Sequence, residues 1–261
     1  MTDKIAKQES QELVKQDQAL ARPSWIPEGD TTGTQMSAED IRLPRLAIAQ
    51  GLSPQLMEGD SSYIPDLKMF DMFNDVLGTV YGKGPLTFVP VRRDVRRIEF
   101  KPRAEGGGII DMDVPPGDPR LKWDGDAPPT ATSFDEFVVY LLHADGSREP
   151  IVISIKNTNK WNRRAAKNLN TFIALPHPQL GVLPIYGKKY TVTVSTEKND
   201  KGTFGVYVIK QAGVLTDGDT GCLVMAFAKS LEGKQIIVEH EPGEDDFVPA
   251  DLEAEAITTE M

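Results

Sequence analysis

"FDEFVVYLLHADGSREPIVISIKNTNKWNRRAAKNLNTFIALP", residues 134–176, holds a hairpin followed by a helix. Two apolar, β-branched runs, "FDEFVVYLL" and "EPIVISIK", flank "HADGSR". The Asp145-Gly146 pair in that connection suits a tight turn, because glycine takes a positive φ without steric cost. Ile151, Ile153 and Ile155 alternate along the second run and so fall on one face, which buries. The period then changes. Trp161, Ala165, Leu169 and Phe172 recur at helical spacing, Thr158 or Asn159 supplies the N-cap, and Pro176 ends the pattern.

A second hairpin lies further on, with "KKYTVTVST" and "GTFGVYVIK" flanking "EKNDK". Tyr190, Val192 and Val194 alternate against Thr191, Thr193 and Ser195, and a short apolar segment follows. Upstream, "LPRLAIAQ" alternates at Leu46 and Ile48, and "GTVYGKGPLTFVPVRRDVRRIEF" reads as two or three strands. Residues 104–133 are crowded with Gly, Pro and Asp, the composition of a long and mobile insertion loop. Antiparallel hairpins separated by one helix predict a mainly β chain with helices (α+β). The expected architecture is an OB-like five-stranded antiparallel barrel with an inserted helix and a long insertion loop. A β-sandwich with an appended helix is the competitor. The domain reading is a flexible N-terminal arm over 1–40, a folded domain over 41–238 and a disordered acidic tail over 239–261.

The chain carries a net charge of −10, which argues against a polyanionic partner until the charge is located. Residues 239–261 hold nine carboxylates and no Lys or Arg, which leaves residues 1–238 with a net charge of about −1. Within that body the cations cluster. Lys160, Arg163, Arg164 and Lys167 share one face of the helix with no acid among them, whereas exposed helices ordinarily mix signs. "VRRDVRRIEFKPR" offers Arg92, Arg93, Arg96, Arg97 and Lys101, with Phe100 interleaved. "YGKKY" adds Lys188 and Lys189 beside Tyr190. Cations that track phosphates, with aromatic faces that accept any base, are what sequence-tolerant single-strand binding requires. Phe100, Tyr190 and Trp123 are the stacking candidates, and Trp123, in the polar insertion, is favoured over Trp161, whose spacing places it with the core.

Other chemistries find little support. One cysteine, Cys222, excludes an intrachain disulfide and a four-cysteine zinc site, and its apolar context predicts a buried thiol. His143, His177 and His240 are scattered, and "YGKGP" lacks the spacing of a phosphate-binding P-loop. Asp111/Asp113 and Asp124/Asp126 read as solvated turn residues. A metal-dependent nuclease would place Asp135 or Glu136 opposite an acid-x-Lys, but Ser154 stands where the second carboxylate belongs. No enzyme activity, metal or cofactor is expected. Neither a signal peptide nor a membrane span is evident, so a reducing cytoplasm is the expected location, that of the bacterial host if the chain is phage-encoded.

"LPRLAIAQGLSP", "GTVYGKGPLTFVPV", "SIKNTNKWNRRAAKNLNTF" and "YTVTVSTEKNDKGTF", with the acidic tail, resemble a family of bacteriophage single-stranded DNA-binding proteins over residues 43–261. The resemblance implies an OB core, sequence-tolerant binding of single strands in phage replication or recombination, and a tail that engages other proteins of that machinery. Asp245, Asp246, Phe247, Val248 and Leu252 are the candidate docking residues of the tail. A homodimer is compatible with this reading and a membrane partner is not. The alternative is a phage interaction or structural protein that binds no nucleic acid.

Overall fold

The computed structural model describes residues 43–233, apart from 102–104, 106, 123, 125–128, 158, 200 and 201. These residues belong to one compact unit that begins at Arg42. The arm, the tail and Trp123 lie outside the described residues.

Among the described residues nine strands and two α-helices follow one another: β1 (Leu46–Ile48), β2 (Met72–Asn74), β3 (Val80–Gly82), β4 (Leu86–Phe100), β5 (Ile109–Asp111), β6 (Ala131–Leu142), β7 (Arg148–Lys156), α1 (Lys160–Ala174), β8 (Lys188–Asn199), β9 (Gly202–Val214) and α2 (Gly218–Ser230). All the strand pairings between named strands are antiparallel. The main sheet has the order β7-β6-β4-β8-β9, with β5 added against the end of β4, and β1-β2-β3 form a small meander. The chain is therefore mainly β, in the α+β class.

The described strands do not close into a barrel. Among the described residues β7 and β9 do not pair, so the sheet is an open path and not a closed cylinder. The chain from Pro44 to Gln50 occupies the seam between them. On one side Val152 donates its N–H to the Pro44 carbonyl at 2.9 Å and Arg45 bridges Val152 in parallel. On the other, Tyr207 Oη donates to the Leu46 carbonyl. The Gln50 side chain meets both backbone groups of Gly205, Nε2 donating to its carbonyl at 3.0 Å and Oε1 accepting from its N–H at 2.9 Å. A side-chain amide thus supplies the edge of β9 with the bonds a neighbouring strand would have made.

Close approach at this seam depends on Gly205. A Cβ there would stand 2.8 Å from Ile48 Cγ2 and 3.2 Å from Phe70 Cδ1 and Val194 Cγ1. Gly205→Ala is expected to cost about 1–3 kcal/mol through overpacking, lowering Tm by roughly 3–10 °C in a domain of this size. A thermal melt checks this, and an unchanged Tm would show that β1 is free to move aside.

The inner face of the sheet carries the core. Phe137, Val139 and Leu141 of β6, Ile151, Ile153 and Ile155 of β7, and Tyr207 and Ile209 of β9 pack around Phe88, Tyr190 and Val192. The three alternating isoleucines are buried together, as their period requires. Ala165, Ala166 and Leu169 of α1 close one end of this core. The outer face presents Val89, Val91 and Tyr140, covered by Val224 and Phe227 of α2. The segment that reads in sequence as merely short and apolar is this helix. Asp217 caps it, accepting from the Asp219 and Thr220 N–H groups. Cys222, expected to be buried, is exposed on α2, because Val224 and Phe227 take the face turned to the sheet.

The meander docks through paired polar groups. Arg45 Nε lies 2.8 Å from Asp75 Oδ2, both side chains being buried. Glu149 at the start of β7 accepts from Tyr81 Oη at 2.7 Å and from Asn74 Nδ2 at 2.6 Å. Burial, reinforced by Glu149, pushes the Tyr81 hydroxyl pKa up.

The insertion is more ordered than its composition suggested. Val114 is buried and donates its N–H to the Arg97 carbonyl at 3.0 Å. Arg120 gathers Glu99 at 2.7 Å, Asp111 at 3.0 Å and Asp118 at 3.0 Å, so Asp111 is ion-paired while its side chain stays partly open to solvent. Hydrogen bonds from Arg120 hold the Asp118 carboxyl below the usual carboxylate range.

Candidate nucleic-acid interface

The four cations of α1 stand where the helical wheel put them. Lys160, Arg163, Arg164 and Lys167 are exposed, and none forms an ion pair with a described carboxylate. The first turn of the helix contains no acid, and Asn159 caps it by accepting from the Asn162 N–H at 2.8 Å. Two sources of positive potential therefore coincide: the side chains, and the first-turn N–H groups at the positive end of the helix dipole.

The basic run of β4 is different. Arg92 is tied to the end of α2, donating to the Leu231 carbonyl at 2.8 Å, and its Nε lies 2.8 Å from Asp94. Arg93 Nε donates at 3.0 Å to Asp135, a buried carboxylate that also accepts from Asn157 Nδ2 at 2.7 Å. Both arginines are thus engaged within the fold, although the Arg93 side chain stays 38% exposed. Arg96 and Arg97 are half-buried, and Lys101 is exposed at the end of the run. Of the "YGKKY" cations, Lys189 is half-buried. Lys188 is buried, and its Nζ donates to the carbonyls of Phe172 at 2.8 Å, Ile173 at 3.3 Å and Leu175. It is the C-terminal cap of α1, meeting carbonyls that a helix end leaves unpaired. Tyr190 is wholly buried against Phe88 and has no face to offer a base. Its burial pushes the hydroxyl pKa up to about 12.

Aromatic rings do reach the surface elsewhere. Trp161, assigned to the core by its spacing, is half-buried. Its ring packs edge-on against Phe204 at 5.3 Å, and the Lys160 ammonium lies 4.4 Å from its centroid. Phe100 packs edge-on against Phe134 at 6.1 Å. Between these pairs a half-open cavity of about 90 Å³ follows the seam of the sheet. Phe100, Phe134, Phe204 and Tyr207 contribute rings to its lining, and Gln55, Ser154, Lys156, Asn159 and Asn162 contribute polar groups. Ser154 Oγ is shielded from solvent and has no hydrogen-bond partner. Phe204, Asn162 and Gln55 were not among the sequence candidates. They come from three distant segments, and no local pattern marks them as neighbours.

Glu136 and Ser154 are cross-strand partners, as a nuclease arrangement needs. Glu136 is buried, however, and no three His, Cys, Asp or Glu side chains among the described residues are grouped as metal ligands. Among the same residues, no helix is long and apolar enough to cross a membrane.

Comparison with known proteins adds one finding. No curated protein and no solved structure matches the chain. A family model described as "Pam3 phage gp34-like protein" matches residues 14–236, which is most of the chain. Phage origin, one part of the resemblance drawn from the sequence, is thereby supported, and the chain belongs to the Pam3 phage gp34-like protein family.

Proposed function

We propose that the protein binds single-stranded DNA with little regard to sequence, in phage DNA replication or recombination, and that it does so without catalysis. The observation that carries this reading is a helix, α1, that presents four exposed cations with no acid among them and contributes Asn159 and Asn162 to the lining of a ring-bearing cleft. Bases enter the cleft or stack at its rim on Trp161 and Phe204, and the phosphates follow Lys160, Arg163, Arg164 and Lys167.

The strand order supports an OB-like barrel. An OB fold is a partly open five-stranded barrel that binds oligonucleotides on its second and third strands and on the loops joining strands 1–2 and 4–5. Here β4, β6, β7, β8 and β9 take the five places, with α1 between the third and fourth. The cleft is lined by Phe134 of β6 and by Ser154–Lys156 of β7. Phe100 borders it where the first connection begins, and Phe204 where the last one ends. Segment 44–50 then serves as the stave that fills the open seam.

The acidic tail competes with DNA as a tethered polyanion, and Phe247, Val248 and Leu252 among its acids form the hook for partner proteins. A titration of the full chain and of a chain lacking residues 239–261 with single- and double-stranded oligonucleotides tests both ideas. Single strands are expected to bind better than duplex, and log K to fall by about 0.7 per neutralised phosphate for each log unit of salt. Removal of the tail is expected to tighten binding at low salt. Absent or equal binding to both forms would overturn the reading and favour a protein-binding role. An unchanged affinity without the tail would remove the competition.

A further inference from the structure

The outward face of α2 lacks a cover. A surface helix ordinarily turns an apolar stripe inward and a charged one outward, as α1 does, and a helix apolar on all sides is buried. α2 is apolar on both sides. Val224 and Phe227 meet the sheet, yet Leu223 stays 42% exposed and Met225 36%, and Cys222 and Ala226 are open between them. At about 100° per residue, Cys222 and Ala226 form the middle of the outward face, with Leu223 on one flank and Met225 on the other. Asp219 and Lys229, both exposed, stand at its two ends, and neither is ion-paired among the described residues.

These six residues are placed symmetrically about Val224. Leu223 and Met225 lie one position either side of it, Cys222 and Ala226 two, and Asp219 and Lys229 five. A two-fold interface brings the same patch of two molecules together, so the patch must complement itself. Antiparallel pairing with the two Val224 positions level does this. It sets Asp219 at the height of Lys229 of the partner subunit, twice over by symmetry. Cys222 and Ala226 are small and one turn apart, so the helix axes can approach closely between the apolar flanks. The two helix dipoles then run in opposite senses, which favours the pair. The acidic tail suits this face less well, since the face carries one acid and one base while residues 239–261 hold nine carboxylates and no cation. We propose that the protein forms a homodimer through this face, two α2 helices packing antiparallel about Val224, with Asp219 and Lys229 fixing the direction. α2 is 13 residues long, about 20 Å, which is short for a standard interface, so the dimer is reversible at roughly micromolar concentration. α2 lends no residue to the lining of the cleft, and the dimer stands whether or not that cleft binds DNA.

Sedimentation equilibrium of the full chain from about 1 to 200 μM tests the proposal across the range of a weak interface. The wild-type mass is expected to rise with concentration towards twice that of the monomer. Ala226→Glu puts a carboxylate in the middle of the face and is expected to hold the chain monomeric throughout. Lys229→Glu is expected to weaken association about tenfold, because an acid then meets Asp219 at both symmetry-related contacts. Adding Asp219→Lys to that variant is expected to restore association, and this exchange of exposed charges serves as the test even if Ala226→Glu melts early. A wild type that stays monomeric, or an Ala226→Glu variant that folds and associates as the wild type does, would overturn the dimer. A loss in Lys229→Glu that Asp219→Lys leaves unrepaired would overturn the antiparallel pairing. Cys222 is the one thiol of the chain, so maleimide labelling reports on the face directly. A monomer whose thiol resists labelling would overturn the proposal in favour of the chain's own arm or tail as the cover.

Discussion

The double substitution Arg163→Glu, Arg164→Glu is expected to weaken the proposed single-strand binding by at least about 25-fold at 0.1 M salt, without a fall in melting temperature. The first part follows from counterion release. Each phosphate neutralised on a single strand contributes about 0.7 to the slope of log K against log salt, so two lost contacts are worth roughly 1.4 log units at 0.1 M. Repulsion from the new carboxylates adds to that, and the slope itself flattens by about 1.4. The second part follows from the local electrostatics of α1. Acids near a helix N-terminus interact favourably with the dipole, and a carboxylate in place of Arg163 attracts Lys167 one turn on, where the guanidinium now repels it. Both side chains are exposed and the buried face of α1 is Ala165, Ala166 and Leu169, so nothing in the core changes. Anisotropy titrations across a salt series, with a thermal melt, measure both. A collapsed Tm would show that the face supports the fold, and an unchanged salt slope would show that it does not meet phosphate.

Lys188→Met has the opposite signature. It removes the ammonium but keeps most of the stem, and leaves the carbonyls of Phe172, Ile173 and Leu175 without their donor. Hydrogen bonds to a charged group are worth about 1.5–3 kcal/mol, and the orphaned carbonyls carry a desolvation cost. A loss of about 2–4 kcal/mol is expected, or roughly 5–15 °C in Tm. Affinity for single strands, measured below the transition, should not change. If instead binding fell and Tm held, the lysine would be a phosphate contact, as its place in "YGKKY" had suggested.

These two lysine and arginine sets show what a local pattern carries. The α1 cations were legible because a helix converts spacing into a face, and the apolar residues at the complementary spacing fix which face is wet. The hairpins of β6–β7 and β8–β9 were legible for the same reason, with the turn at Gly146 supplying the register. The partners of Arg92, Arg93 and Lys188, which are Leu231, Asp135 and the end of α1, were not legible because tertiary packing sets them. Tyr190 alternates with Val192 and Val194 on the buried face, and that alternation was already visible. Its ring drew attention as an aromatic beside cations when the period said core, and its buried hydroxyl has no hydrogen-bond partner. The helix α2 was missed because "GDTGCLVMAFAKS" is apolar nearly all round, with glycines in its first turns and no stripe to count. The cleft was illegible for a further reason: its rings come from β4, β6 and β9, and only the sheet brings them to one place.

The bonds across the seam join residues far apart in the chain. Gln50 and Gly205 are 155 positions apart, and Leu46 and Tyr207 are 161. On a ribosome adding about 5–20 residues per second, segment 44–50 emerges roughly 8–30 s before the strand it must meet. During that interval its hydrogen-bonding groups facing β9 have nothing to pair with, and the edge of β7 already accepts one side of it. Sealing the sheet is therefore a return to the beginning of the domain, and it is gated by completion of β9. A chain truncated before Gly205 would leave an unsealed sheet edge exposed to other copies of itself, a route to aggregation that the finished protein closes with one glutamine side chain.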